Sequence, residues 1–228
     1  MRKVPWSLPI AIALLMLMSV PVSADNLLNR LFGGCGIRGS GDLETEERDL
    51  GEFDAVKLSG AFDVFIEVGS EQRVKITFDD NLLDIIETEV RRNTLYISSK
   101  ESYSSRRHCR IEISIPELEK VSLSGSGDIE IDGLDGEEFI VEISGSGDVR
   151  AEGHVDELDI QVSGSGDVNA RDLEAKDAYV SVSGSGDVRV YASESLNARV
   201  SGSGDIQYYG DPEHISTRVA GSGDISRR

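Results

Sequence analysis

Tryptophan occurs once in this sequence, at Trp6, and histidine only at His108, His154 and His214. Trp6 lies in a segment expected to be removed, so the mature chain has little with which to line a large aromatic ligand pocket. The histidines stand far apart, and none falls at a metal-ligand spacing such as i, i+4; exposed loop or corner positions are expected for them. Basic side chains are outnumbered too, 23 Lys and Arg against 42 Asp and Glu, for a formal net charge of −19. Such a field repels nucleic acid and anionic lipid.

Long apolar runs are equally scarce. The run from Ile10 to Met18 is short for a bilayer span, and no later segment approaches the ~18 apolar residues of a membrane helix. With Arg2 and Lys3 before it and Val22-Ser23-Ala24 after it, residues 1–24 have the layout of a secretory signal. Export to the periplasm, cell surface or medium is therefore expected, with residues 25–38 as a linker. A lipid anchor on Cys35 fits poorly, because Gly33-Gly34 precede it and Asp25, Asn26 and Arg30 separate it from the apolar run. Cys35 and Cys109 are the two cysteines, and both follow the signal. An oxidising compartment lets disulfides persist, so a Cys35–Cys109 bridge is one reading and two unrelated thiols the other; spacing does not choose between them.

What the sequence does have is a repeat. SGSGD recurs with its first glycine at Gly125, Gly145, Gly164, Gly184 and Gly202, and AGSGD follows at Gly221; successive spacings are 20, 19, 20, 18 and 19 residues. A period near 20 is the signature of stacked units. Around each glycine the apolar residues alternate, as a strand with one buried face requires. Ile143, Val141 and Phe139 precede one glycine; Val162, Ile160 and Leu158 the next; then come Val182, Val180 and Ala178, Val200, Ala198 and Leu196, and Val219, Thr217 and Ile215. After the glycines stand Ile129 and Ile131, Val149 and Ala151, Val168 and Ala170, and Val188 and Val190.

Each repeat thus predicts two short strands, a tight Gly-Ser-Gly corner and a looser acidic connection, stacked about 4.8 Å from its neighbour. Five inward apolar residues per coil, at roughly 2 kcal/mol each when buried, make stacking the expected source of stability. Glycine suits a corner because sharp reversal often needs positive φ. Asp128, Asp148, Asp167, Asp187, Asp205 and Asp224 would form a structural turn column whose mutual repulsion, roughly 1 kcal/mol per pair in water, needs turn amides or cations to offset it. Upstream, SGAFD at Gly60 fits the template and GSGD at Gly39 fits part of it. The 65-position offset from Gly60 to Gly125 leaves room for about three atypical coils, with strands at 73–78, 95–99 and 110–115. Residues 80–86 read as a helical turn capped by Asp80 or Asn81, and 102–108 as an exposed loop.

ERDLGEFDAVKLSGAFDV from Glu47 to Val64, DNLLDIIETEV from Asp80 to Val90 and the serial GSGD turns together resemble the bacterial head GIN domain family of autotransporter-like adhesins. The resemblance spans residues 36–228. It implies an all-β, right-handed parallel β-helix with GSG turns, a shape similar to pectin lyases, no catalytic set, and adhesion. The solenoid domain is accordingly expected at 39–228, irregular over 39–116 and regular over 117–228.

Other chemistries fit less well. Gly125-Ser126-Gly127-Asp128-Ile129-Glu130 puts Glu where a dinucleotide loop needs Gly, and no G-x-S-x-G elbow occurs. Calcium-binding solenoids carry a nonapeptide repeat, half this period and with a different glycine order, so the aspartates are expected to act through hydrogen bonds and without a cofactor or metal. A polysaccharide lyase or hydrolase on the same scaffold is the alternative; carboxylate pairs such as Glu130 with Glu152 are too abundant to indicate one. On the outward face, Glu130, Arg150, Asn169, Arg189 and Gln207 form one predicted column, and Asp132, Glu152, Arg171, Tyr191 and Tyr209 another. Tyr191, Tyr209 and Arg189 are the candidate contact patch for a protein or glycan at the cell envelope. The expected protein is a non-enzymatic interaction module, monomeric or weakly oligomeric.

Overall fold

The computed structural model describes residues 36–228, and these form one unit, Gly36–Arg228. The expected signal sequence, Cys35 and most of the expected linker lie outside the described residues. The described chain is all-β, with a 15-stranded mixed sheet and a separate two-stranded one. In its first half the strands are β1 (Ile37–Arg38), β2 (Leu43–Arg48), β3 (Ala55–Gly60), β4 (Phe62–Val68), β5 (Arg73–Asp79), β6 (Ile86–Arg91), β7 (Thr94–Ser99), β8 (Tyr103–Ser104) and β9 (Cys109–Ile115). The repeats supply β10 (Lys120–Gly125), β11 (Asp128–Ile143), β12 (Val149–Val162), β13 (Val168–Val182), β14 (Val188–Val200), β15 (Ile206–Tyr209), β16 (His214–Val219) and β17 (Ile225–Arg227).

Every repeat pairs in parallel with the next. Val141 stands opposite Ile160, Ile160 opposite Val180, and Val180 opposite Ala198, and all four are buried. A second column runs through Ile129, Val149, Val168, Val188 and Ile206 beyond the turn. Between turns, however, the chain does not break into two short strands. β11 to β14 each run continuously for 13 to 16 residues. Register shifts bend them near Ile131/Leu134, Arg150/Glu152 and Ala170/Glu174. These irregularities act as bulges. Leu134, Val155, Leu173 and Ala192 are buried at the bends, so the acidic connection has its own apolar anchors and stays in the ladder.

The last repeat departs from its neighbours. Ile215 and Val219 follow the inward pattern yet are 50% and 45% exposed, whereas Leu196 and Val200, one repeat earlier, are 1% and 0% exposed. Among the described residues nothing stacks on the far side of β16, so its inward-pattern residues lack the second neighbour that buries the others.

The glycines of the turns answer to stacking more than to φ. Gly145, Gly164, Gly184 and Gly202 are not among the positive-φ glycines, although Gly125 and Gly221 are. What excludes a side chain is the turn of the preceding repeat: a Cβ on Gly164 would stand 2.2 Å from the carbonyl oxygen of Gly145. That oxygen accepts the Ser165 amide at 2.9 Å, so the close approach belongs to the ladder itself.

The 64 residues between Gly60 and Gly125 do not stack as three atypical coils. β10 pairs directly with β3, placing Gly125 opposite Gly60, and β11 pairs with β4. On their other side β3 and β4 take β7 and β9, also in parallel. The unit 55–68 is therefore sandwiched between a later segment and the first regular repeat. Antiparallel pairing then ends the stack: β6 on β7, β5 on β9 and β2 on β5. The β6–β7 reversal uses Arg92 and Asn93 at φ 50° and 61°, the backbone twist that a two-residue hairpin demands.

At this end Phe62, Phe78 and Tyr103 form an aromatic cluster, with Tyr103 5.3 Å from Phe78 and 6.4 Å from Phe62 between ring centroids. The helical turn is a 3-10 segment, Asp80–Ile85, whose N-cap is Asp79 and not Asp80 or Asn81, and no side chain caps it. Asp79 is instead the buried acid of the fold, 1% exposed. It accepts the Gly41 amide at 3.0 Å and the Ser105 hydroxyl. The early GSGD at Gly39 thus serves as a clamp: Ser40 donates its amide to Asn81 at 2.9 Å, and Asn81 returns a bond to the Arg38 carbonyl. Within the expected 102–108 loop, Tyr103 and Ser104 form β8 against β1.

Candidate binding face

Period-two alternation puts Asp148 and Arg150 on the outward side of one strand with Val149 buried between them, and each repeat does the same. The aspartates form a ladder. Oδ1 of Asp128 accepts the Asp148 amide at 3.1 Å, and the relation recurs from Asp148 to Asp167, Asp167 to Asp187, Asp187 to Asp205 and Asp205 to Asp224 at 2.8–2.9 Å. A charged acceptor with a fixed amide offsets much of the repulsion along the column. The main chain is paired in the opposite sense: the amide of Val149, for example, reaches the Asp167 carbonyl at 2.9 Å.

Beside this column, Glu130, Arg150, Asn169, Arg189 and Gln207 are consecutive register partners. The second outward column is broken by the bulges. Tyr191 stands opposite Tyr209, but its other partner is Glu174, not Arg171. Arg171 still reaches the patch, with its guanidinium 4.9 Å from the centroid of the Tyr209 ring. Counting offsets from the glycines placed Arg171 in that column but could not show that a bulge would turn it onto Tyr209. Arg189 lies two residues before Tyr191 on the same outward side and flanks the pair.

Two shallow depressions mark the face. One, of about 400 Å³, is lined by Asp63, Phe65, Asp128, Asp148, Arg150, Asp167, Asn169 and Arg189 among others. A neighbouring one of about 410 Å³ adds Arg73, Lys75, Arg110 and Glu112. Arg110 sits 3.8 Å over the Phe65 ring. Glu130 is the register partner of Arg150, and the Arg150 guanidinium lies 3.8 Å from Glu152 and 3.9 Å from Asp172. Between β10 and β11, Glu142 accepts from Lys120 at 2.6 Å and from the Ser122 hydroxyl at 2.9 Å, and the Lys120 bond is the main reason the Glu142 carboxyl is held below its usual range.

The remaining candidates lie apart. His108 is 3.4 Å from Asp63, and His154 is 3.3 Å from Glu174. His214 is exposed on β16. Among the described residues no group of three or more His, Cys, Asp or Glu side chains is arranged to hold a metal ion. Cys109, the register partner of Phe62, is buried, and burial, with the charge of Asp63, pushes its thiol up to about 12. It is a neutral packing group there and not a nucleophile. Its expected partner Cys35 lies outside the described residues.

A search of curated proteins finds no match. Among solved structures, the chain is similar to a putative adhesin from Bacteroides fragilis, 27% identical with a TM-score of 0.70, covering 84% of this chain and 100% of that one. It is also similar to a putative lipid binding protein from Parabacteroides distasonis, at 28% identity and a TM-score of 0.50, covering 84% and 99%. A putative adhesin from the same species, at 21% identity, a TM-score of 0.53 and the same coverages, shares the fold. Residues 52–212 match the family model described as putative auto-transporter adhesin, head GIN domain. That match takes in β3 to β15, and so the Gly60 unit and the repeats, and the chain belongs to this head GIN domain family.

Proposed function

We propose that this protein is an exported surface-binding module of the adhesin type that turns over no substrate. Its repeats act as the coils of a right-handed β-solenoid, a rigid scaffold on which the outward face meets a protein or glycan of the cell envelope. Parallel in-register pairing of every repeat supports the solenoid reading. Family membership and the likeness to the Bacteroides fragilis adhesin support the binding role.

The observation that carries the site is Tyr191 beside Tyr209 with the Arg171 guanidinium on the Tyr209 ring. Adjacent half-buried tyrosines backed by arginine offer flat apolar area with polar tips, the composition favoured where one protein anchors on another molecule. A repeated face also gains by summing weak contacts along its length. Function of this kind needs no oxidant, metal or acid–base pair and leaves the protein monomeric or weakly associated.

The test is adhesion to cells and binding to a glycan array by wild type and by a Tyr191→Ala, Tyr209→Ala variant, run beside a polysaccharide-degradation screen. Loss of adhesion in the variant, with no product released, is the expected result. Turnover of any polysaccharide at enzyme-like rates would overturn the binding-only reading, and undiminished adhesion in the variant would move the site off the tyrosines.

A further inference from the structure

We infer that the depression running across the repeats from Phe65 to Arg189 holds a neutral, hydroxyl-rich glycan chain lying along the stacking direction. The inference deepens the surface-binding reading and rests on it. Three successive repeats carry beside this groove one carboxylate and, two residues on and about 7 Å away on the same side of the strand, one side chain that can donate; at the groove's start Phe65 and Glu130 take the second position instead. The pairs are Asp148 with Arg150, Asp167 with Asn169, and Asp187 with Arg189. Stacking repeats the pair about every 4.8 Å. Beyond Glu130, the surface is thus a column of acceptors alongside a column of donors, with Asp148, Arg150, Asp167, Asn169 and Arg189 lining one depression of about 400 Å³.

The hydrogen-bond state of the aspartates leaves them suited to a ligand. One oxygen of each, Oδ1, is committed to the amide of the following repeat. That bond fixes the carboxylate plane and leaves the second oxygen to accept from outside. Arg189 presents donors in a planar fork; Arg150 has Glu152 and Asp172 at 3.8 and 3.9 Å, beyond hydrogen-bond distance, so its donors stay open to a ligand, and Asn169 can donate or accept.

Ligand class follows from matching both columns. A polyanion would face Asp63, Asp128, Asp148 and Asp167. A cationic peptide would satisfy those carboxylates but oppose Arg150 and Arg189, leaving their donors unmatched. A peptide adding as a strand needs a free sheet edge, and β11 to β14 are paired on both sides. Sugar hydroxyls both donate and accept, so a neutral chain can bridge carboxylate and donor at each repeat. Its affinity should then grow with chain length until the groove is spanned.

The experiment is calorimetric titration of the protein with neutral oligosaccharides of increasing length (cello-, xylo- and β-1,3-gluco-oligosaccharides), with oligogalacturonate and with oligolysine. The same panel is applied to an Arg150→Ala, Asn169→Ala, Arg189→Ala variant. These side chains point outward, so circular dichroism and melting temperature should match wild type and a misfolded variant would be seen at once. Expected are tighter binding with length for at least one neutral series, and at least about a tenfold loss in the variant, as removal of three hydrogen-bond donors implies. Tighter binding of oligolysine or oligogalacturonate than of every neutral series would overturn the ligand class. Unchanged glycan binding in the groove variant, but loss in the Tyr191→Ala, Tyr209→Ala variant, would overturn the groove while the surface-binding reading stands. Cell adhesion without binding to any neutral series would likewise remove this inference alone, whereas absence of both would remove the parent reading as well.

Discussion

Oδ1 of Asp148 accepts the main-chain amide of Asp167 at 2.8 Å, one repeat further along the stack. The bond converts a column of like charges into a ladder in which each carboxylate orients the next turn. Its energy is separable from its charge. Asp167→Asn keeps an acceptor for the Asp187 amide and removes one charge, so stability in urea should hold or rise slightly. Asp167→Ala leaves that amide to water and should cost about 1 kcal/mol. Equal losses in both variants, together with a melting temperature that depends on calcium, would show that a bound cation supports the column instead.

Glycine in the turns is required by a neighbouring turn. Gly164→Ala should cost several kcal/mol or prevent folding, because the new Cβ would stand 2.2 Å from the Gly145 carbonyl oxygen. Gly136→Ala is the control: nothing lies within 4 Å of a Cβ there, and loss of unfolded-chain entropy should leave stability equal or slightly higher. Comparable melting temperatures for the two variants would contradict the close stacking of turns.

Burial of Val180 between Ile160 and Ala198 makes it a test of register. Its exposure is 3%. Val180→Asp would place a charge inside the ladder with no partner and should destabilise by several kcal/mol. Arg199→Asp, one residue beyond the adjacent Ala198 and exposed, should change stability by only a few tenths of a kcal/mol to about 0.5 kcal/mol. A reversed order would mean that inward and outward positions are exchanged.

The Cys109 thiol gives a pH dependence of known sign. Its folded value is raised from 9.0 to about 12, first by burial and then by Asp63. The neutral thiol therefore contributes stability fully below about pH 9, and that contribution is lost as pH rises through about 12. With labelling assigned by peptide mass, Cys109 should react slowly with a thiol reagent at pH 8 in native protein and quickly in unfolded protein, while Cys109→Ala should flatten the alkaline limb of the stability curve. Fast reaction at Cys109 in the native state would show that β9 opens. No reactive thiol in urea without reductant would show Cys109 paired after all, with Cys35 as its available partner.

The sequence by itself determined the inward columns, the turn positions and the outward neighbours of Arg189. Two periods carry that information: alternation assigns each residue of a strand to a face, and the near-20-residue repeat assigns its partner, so Val141, Ile160, Val180 and Ala198 could be aligned before any coordinates. Tertiary structure decided what no local period encodes. Gly125 rests on Gly60 across 65 residues because β3 and β4 offer the matching parallel edges. The intervening chain turns back to cover their other edges, a pairing that depends on which distant segment completes the ladder. The same holds at smaller scale. Asp79 reads in sequence as one acid among 42, and only the packing of the Gly39 segment and Ser105 around it makes it a buried clamp. Arg171 meets Tyr209 because a bulge shifts the strand, and a shift of register is invisible to a count of residues.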